Sequence, residues 1–507
     1  MAMNVFKLVA ACCISLVFSN AHATVHGTLA HDASKQVTPT QVTLNHVKQA
    51  NIHEIVFATA QAPLNLDPRY ATDAASARVN RLLYKSLVDF DAQSKVVPSL
   101  ATWLQISTTE YRFTLNKNRS PFHNQQPLTS YDVKATYESL ISLKDSPQSA
   151  EFVNILAIQA IGNETIIFKL KQADKSFPAK LIIGILPSDL ITKKHDFSHN
   201  PIGSGALKFV SWQNKLILKR IQDNQVISLV EVKDPTVRVL KLLRGEVDLL
   251  QGELPPELVK YLQTEPEINV KTSVGANFSY LGLNMQDPHL KNIKVRQAIA
   301  YAIDRNAIIQ KVMSSNTRVA GAILPPEHYT NKGSKALTPY LYNPVLAKKL
   351  LVESGIKLPL KLVYKTSTDA QRVRFATIMQ AQMQPAGIDL EIRSLDWGTF
   401  FEDVKQGSFQ LFGLTWVGIK TPEIYSKALG LDSFPPNGFN RGRYADKTLD
   451  ELLAKEDWQG ATARIYNQLP YIPLWYEGQF AAMGKNIKNY SPKPDGNWDD
   501  LATITKQ

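Results

Sequence analysis

The sequence predicts a mixed α/β protein built on more than one sheet. Two patterns carry this reading. In the second half, apolar runs alternate with segments of helical spacing, as parallel-sheet units do. In the first half, period-two runs are separated by turn residues, as antiparallel hairpins are. The size agrees, since 507 residues, 44% hydrophobic and 20% charged, can bury large cores and should divide into two or three domains.

In chain order, residues 1–23 carry one charge at Lys7, an apolar run from Leu8 to Phe18, and a small-x-small ending at Ala21-His22-Ala23. This is the pattern of a secretory signal peptide cleaved before Thr24, with an apolar run too short to span a membrane. A lipoprotein site at Val9-Ala10-Ala11-Cys12 is the alternative, disfavoured because only Leu8 to Ala11 separate Lys7 from the cysteine. Residues 24–51 are polar and without apolar periodicity, and read as a flexible lead-in. A strand from Ile55 to Ala60 follows, broken by Pro63 and Pro68, then a helix with Val79, Leu82, Leu83 and Leu87 on its apolar face.

Trp103 to Phe122 alternates as a hairpin, and a helix opens at Thr129 or Ser130. A second hairpin spans Ile155 to Lys171, with Gly162-Asn163 at its tight turn. Pro201 to Ile221 supplies two more strands, and Asp234 to Leu250 reads as helix, Gly-containing turn and strand. The second half opens on a short strand, Tyr280 to Gln286, followed by one amphipathic helix from Lys294 to Met313. A helix from Asn343 stops at Gly355, a strand runs from Leu358 to Thr366, a helix ends near Pro385-Ala386-Gly387, and Asp389 to Trp397 is again a strand. Thr421-Pro422-Glu423-Ile424 reads as the opening of a helix.

Composition excludes several chemistries. Both cysteines, Cys12 and Cys13, lie in the signal segment, so the mature chain would hold no disulfide, thiol nucleophile or cysteine-bound metal. The net charge of +12 is spread along the chain beside acids, with no basic run interleaved with aromatics, which argues against nucleic acid. Gly203-Ser204-Gly205 lacks the spacing of a nucleophile elbow, and no HExxH motif or Walker loop occurs. A hydrolase with scattered triad residues is the distant alternative. His123 reads as a hydrogen-bonded loop residue, and Arg296 and Asp304, eight residues apart on the one helix, as packing and surface groups.

Six segments in order then resemble the family 5 extracellular solute-binding proteins, the oligopeptide and dipeptide receptors of ABC importers. They are Leu66-Asp67-Pro68 with Ala71 to Leu87, Val97 to Ala101 before Trp103, Tyr111 to Val133, Pro201 to Phe209, Arg244 to Leu249, and above all Leu281 to Arg305. The resemblance runs from about Ile52 to about Phe480. It implies a two-lobed periplasmic-binding-protein fold with an extra β-rich domain: lobe I from 52–70, 179–270 and 478–507, the extra domain from 71–178, and lobe II from 271–477. Gly203 and Gly205 would then allow a tight backbone path beside the hinge.

The implied function is a periplasmic receptor, a monomer without cofactor or metal and not an enzyme, that closes on a peptide and docks on an ABC permease complex in the inner membrane. Family peptide receptors hold the ligand backbone like an added strand, which nominates Thr59, Ala60, Gln61 and Ala62, while Trp397, Trp416, Trp475 and Tyr476 fall in cleft-facing segments. Where those receptors carry an aspartate for the ligand's α-amino group, this chain has Trp416-Val417-Gly418-Ile419-Lys420-Thr421-Pro422, with no acid. A buried ammonium without a partner is costly, so Glu423, Glu477, or a ligand without a free amine must answer for it. Glu423 reads as a helix N-terminal acid, leaving Glu477; Lys420 could bind a ligand carboxylate or phosphate. A same-fold receptor for an opine, sugar conjugate, modified peptide or metal chelate is the alternative.

Overall fold

The structure, a computed structural model, describes residues 54–507 apart from 72, 144, 314–315, 331–336 and 437. The expected signal segment and lead-in lie outside the described residues.

The first strand, Glu54–Thr59, lies between two parallel neighbours, Val226–Glu231 and Leu249–Gln251. Asp73 caps the following helix, Ala74–Leu83, by accepting the Ser76 N–H at 2.8 Å. The first expected hairpin forms between Ala101–Ser107 and Glu110–Leu115, the second between Ile155–Ile161 and Thr165–Leu170, and the four strands make one antiparallel sheet. Gly162 turns the second hairpin at φ +57°. Asp132 receives the Thr129 N–H at 2.7 Å and its hydroxyl at 2.8 Å, fixing the start of helix Ser130–Ser142.

Beside two small two-stranded sheets, the rest of the described chain is organised by one long, 11-stranded sheet. Its centre is a pair of long antiparallel strands, Ile268–Leu283 and Tyr471–Gly484. At one end they continue through Leu249–Gln251, the first strand and Val226–Glu231 to the hairpin of Leu216–Arg220 and Leu207–Trp212. At the other they continue through Leu411–Trp416 to two parallel strands, Leu360–Ser367 and Ile388–Leu395. The expected strand from Tyr280 is thus only the end of a 16-residue strand. Its first part, Lys271-Thr272-Ser273-Val274-Gly275-Ala276-Asn277, has no apolar alternation, so periodicity could not reveal it. The register breaks between Ser273 and Asn277, where a Cβ on Gly275 would lie 1.4 Å from the Glu477 carbonyl oxygen.

The single helix expected from Lys294 to Met313 is two, Ile293–Tyr301 and Arg305–Val312. Asp304 stands between them and caps the second through the Ala307 N–H at 2.9 Å, so Arg296 and Asp304 share no helix face. Arg296 is buried and donates to the carbonyls of Leu290, Lys291 and Gln468, a structural role. Gly203 and Gly205 lie against the end of helix Ala74–Leu83 rather than beside the break in the long strands. A Cβ at either would come 2.1 Å from a carbonyl oxygen of Leu83 or Leu82. His123 bridges the same loop, its Nε2 donating to Gly205 O at 3.1 Å.

Five apolar clusters form the interior. Two lie in the half built from residues 278 to 476, around Leu281, Ile299 and Met379 and around Phe278, Phe412 and Tyr425. Two lie in the half containing both ends of the described chain, around Phe57, Leu83 and Trp498 and around Leu250, Leu262 and Phe480. The fifth, around Phe113, Tyr137 and Phe168, fills the antiparallel sheet and its helix.

Candidate functional site

The polar side chains concentrate where the two halves of the long sheet meet, beside the register break. The first group is the turn after strand Leu411–Trp416. Gly418 adopts φ +70°, which lets the chain reverse, and its N–H reaches Asn277 Oδ1 at 3.4 Å. Lys420 then points to the far half and donates to Asp495 Oδ2 at 2.6 Å, with side chains 25% and 13% exposed. Asp495 also accepts from the Asn497 backbone N–H at 3.0 Å and side chain at 2.8 Å. Burial pushes the Asp495 carboxyl up, but the Lys420 charge and these hydrogen bonds outweigh it and hold it below the usual carboxylate range. Lys420 is therefore not the free cation the sequence suggested for a ligand anion.

His328 holds the same turn from behind. Its Nε2 lies 2.9 Å from Lys420 O, which can only accept, so Nε2 carries the proton and Nδ1 receives the Thr330 hydroxyl at 2.7 Å. Burial pushes this imidazole below its ordinary pKa, with the Lys420 carbonyl and Glu423 pulling the other way. Glu423 stands at the N-cap of helix Ile424–Leu429, the place its sequence context suggested.

The second group surrounds Glu477. Its Oε1 accepts from Ser279 Oγ at 2.5 Å and Thr415 Oγ1 at 3.0 Å, while Arg372 lies 3.8 Å away and donates to Thr415 at 2.9 Å. Ser279, Thr415 and Glu477 come from three adjacent strands, whose pairing places them side by side. The carboxylate remains 29% exposed, and its one charged partner among the described residues, Arg372, lies nearest the first oxygen.

The aromatic residues divide. Trp397 is 57% exposed and Trp416 half-buried. Trp475 and Tyr476 are each 1% exposed and lie in the core: Trp475 packs edge-on to Phe375, and the Tyr476 hydroxyl donates to the Ala322 and Leu324 carbonyls at 2.6 and 2.8 Å. Their strand is covered on both faces and flanked on both edges, so neither side chain offers surface to a ligand. In the first strand segment, Thr59 is buried with its carbonyl taken by the Val232 N–H at 2.8 Å, and the Ala62 N–H is held by Glu231 at 3.3 Å; Ala60 is half-buried and Gln61 exposed.

Sequence reading missed Asp495, His328, Arg372 and the hydroxyls of Ser279 and Thr415. Only the Arg372 helix and the Asp495-Gly496 turn carried any local signal. Among the described residues, no group of three or more His, Cys, Asp or Glu could hold a metal ion, and no helix is long and apolar enough to cross a membrane.

A family model, bacterial extracellular solute-binding proteins, family 5 Middle, matches residues 95–431. The chain is 25% identical to heme-binding protein A of Haemophilus influenzae, over 89% of this chain and 92% of that protein. It superposes on DppA, an ABC transporter-associated periplasmic binding protein from Helicobacter pylori in complex with the peptide STSA, with a TM-score of 0.75 and 23% identity, over 89% and 98% of the two chains. It superposes equally on NikZ from Campylobacter jejuni in complex with Ni(L-His), TM-score 0.75 and 22% identity, over 90% and 99%. These likenesses show the fold: mixed α/β, in the two-lobed arrangement of periplasmic binding proteins.

Proposed function

Because the chain belongs to the bacterial extracellular solute-binding proteins of family 5, we propose that it is the substrate-binding receptor of an ABC importer, taking peptides by closing two lobes and delivering them to a membrane permease. The observation that carries this reading is the pair of long strands shared by both halves, interrupted at Val274 to Ala276 beside Glu477. Two strands that cross between separate cores and lose register midway are a hinge: bending there costs few contacts, while each core moves intact. Residues 271–477 make lobe II, and 478–507 return to lobe I with 52–70 and 179–270. Packing supports moving the extra domain's bounds inward from 71 and outward from 178, since Val79 to Tyr84 join the lobe I cluster and Leu181 to Ile185 join the extra domain's.

In this reading Glu477 receives the ligand's ammonium. It is a partly exposed carboxylate at the hinge, oriented by the Ser279 and Thr415 hydroxyls and only loosely paired with Arg372 at 3.8 Å. Main-chain groups at Ala60 and Gln61 add to the grip from lobe I. The protein works exported, in the periplasm, as a monomer that binds and releases without turnover, and its partner is the permease complex.

One observation favours a second reading, a ligand with a blocked N-terminus or no peptide character. The turn from Val417 to Lys420 carries no acid, and its lysine is already satisfied by Asp495. Native mass spectrometry of protein purified from cells separates the two. Retained masses that fragment as peptides with free amines support the first, and acylated or non-peptide masses the second. Small-angle scattering on saturation must also show a smaller radius of gyration; binding without compaction, or ligand consumed during incubation, refutes the receptor mechanism. Mature protein is expected to begin at Thr24, and a diacylated Cys12 at its start would refute that processing.

A further inference from the structure

Arg441 stands in an unusual setting. Its guanidinium carbon lies 4.9 Å from the Trp416 ring centre, 5.3 Å from Phe401 and 5.5 Å from Phe439. Both flanking rings are backed by a second one. Trp397 stacks on Phe401 at 5.4 Å and 13°, and Tyr280 on Trp416 at 6.2 Å and 11°. The cation is thus embedded in an aromatic stack that includes Trp397 and Trp416, the two tryptophans of the sequence reading that are not in the core.

Rings shield the faces of a guanidinium and leave its N–H groups pointing outward in the plane. Of these donors, Nη1 reaches the Tyr280 hydroxyl at a long 3.4 Å, and Arg441 forms no ion pair among the described residues. The two acids on the neighbouring helix, Trp397–Gln406, are taken: Glu402 pairs with Lys405 and Gln406, and Asp403 with Lys365. A guanidinium whose faces are dry and whose edge lacks an acceptor is poorly satisfied, and a planar carboxylate supplies the two parallel acceptors that such an edge fits. The slot beside it, lined by Tyr280, Trp416, Phe439, Arg441 and Tyr444, has a volume of about 20 Å³. That is room for an oxygen and not for a ring. Phe439 and Trp397, 45% and 57% exposed, leave apolar surface at its rim.

We propose that Arg441, clamped between Phe401 and Trp416, is a carboxylate-binding subsite of this receptor, taking an acid group of the ligand edge-on while the ligand's flat flank rests on Phe439 and Trp397. The proposal rests on the peptide-receptor reading and adds to it a requirement for an anion.

The probe is an equimolar tripeptide library made once as free acids and once as C-terminal amides. Each is incubated with the whole protein, separated by gel filtration, and read by mass spectrometry of the retained peptides; calorimetry follows on the most retained pair. Wild type should bind the acid about tenfold more tightly than its amide, as expected for losing one charge-assisted bidentate pair. In Arg441→Gln the two should differ by less than about twofold, and Phe401→Leu, which wets one face of the guanidinium, should narrow the gap partway. Amides that bind wild type as well as acids do, or an acid preference that survives Arg441→Gln, overturn the subsite while leaving the peptide receptor standing. Retention of neither library overturns both. If Arg441→Gln does not fold, the wild-type comparison and Phe401→Leu decide the matter.

Discussion

Removing the Lys420 charge tests whether the Lys420–Asp495 pair holds the two lobes together. At 2.6 Å the gross attraction is about 6 kcal/mol for an effective dielectric near 20. Most of this is offset by desolvation, and the side chains, 25% and 13% exposed, are still partly screened by water. Lys420→Met keeps the length of the side chain and leaves Asp495 its Asn497 hydrogen bonds and the more distant charges of Arg78 and Arg81. We expect a cost of about 2 kcal/mol, below the ~3–5 of a fully buried pair. On the lobe bounds proposed above the partners belong to opposite lobes, so that cost falls on the closed conformation, a shift of about 30-fold in the closed-to-open ratio. Small-angle scattering of unliganded wild type, Lys420→Met, Asp495→Asn and the double variant, with urea unfolding of all four, gives the cycle. The singles should expand, the double should expand little beyond either, and the coupling should exceed about 1 kcal/mol. A coupling indistinguishable from zero, with unchanged scattering, refutes the latch. The carboxyl of Asp495 is held below its ordinary value, so the folded pKa is the lower one. The contribution is therefore complete above the ordinary aspartate pKa of about 3.9 and lost as pH falls through the folded value. Asp495→Asn should lack this acid limb.

Three further outcomes are expected. Gly275→Ala puts a Cβ 1.4 Å from Glu477 O and should separate the long strands at about 4 kcal/mol or more, read as lost soluble yield or a collapsed urea midpoint; a wild-type midpoint would show that the break is loose. His328 is held neutral by burial, so folding stability is complete above about pH 6.5 and declines as pH falls toward the depressed folded pKa; the urea midpoint should drop between pH 7 and pH 5 in wild type, and an unchanged slope in His328→Gln would remove His328 as its cause. Glu477→Gln should weaken a free-amine peptide about tenfold and leave its N-acetyl form unaffected, by calorimetry; equal effects on both would take the ammonium away from Glu477.

Local chemistry made the first half legible: alternation, Gly162 and the Thr129 cap each act over a few residues, and the structure realises them as hairpins and a helix start. The misses are tertiary. Asp304 follows an apolar helical run and looks like part of it, and only the cap it forms on Arg305–Val312 shows that one helix is two. The polar half of Ile268–Leu283 is a strand because its neighbours supply its hydrogen bonds, not because its residues favour one. Trp475 and Tyr476 resembled cleft aromatics but sit on a strand buried on both faces. Asp495 lies 75 residues from Lys420, so no spacing rule could pair them.

That pairing changes what the cleft asks of a ligand. Read from the sequence, Lys420 could bind a ligand anion, and Glu477 had a stronger claim than Glu423 to a ligand amine. In the folded chain Lys420 is cancelled by Asp495, and Glu477 is shared with Arg372 at 3.8 Å. Arg441 then forms no ion pair among the described residues and has one long hydrogen bond, while Arg78 sits 5.3 Å from the Trp498 ring centre with Glu253 and Asp495 as opposing charges. Burial pulls the Arg78 guanidinium below its ordinary pKa, with Glu253 and Asp495 opposing. The unpaired Arg441 edge against one partly committed carboxylate favours ligands with more acid than amine. A dicarboxylic peptide should therefore outcompete its neutral isostere, its advantage shrinking with added salt as the exposed share of the attraction is screened.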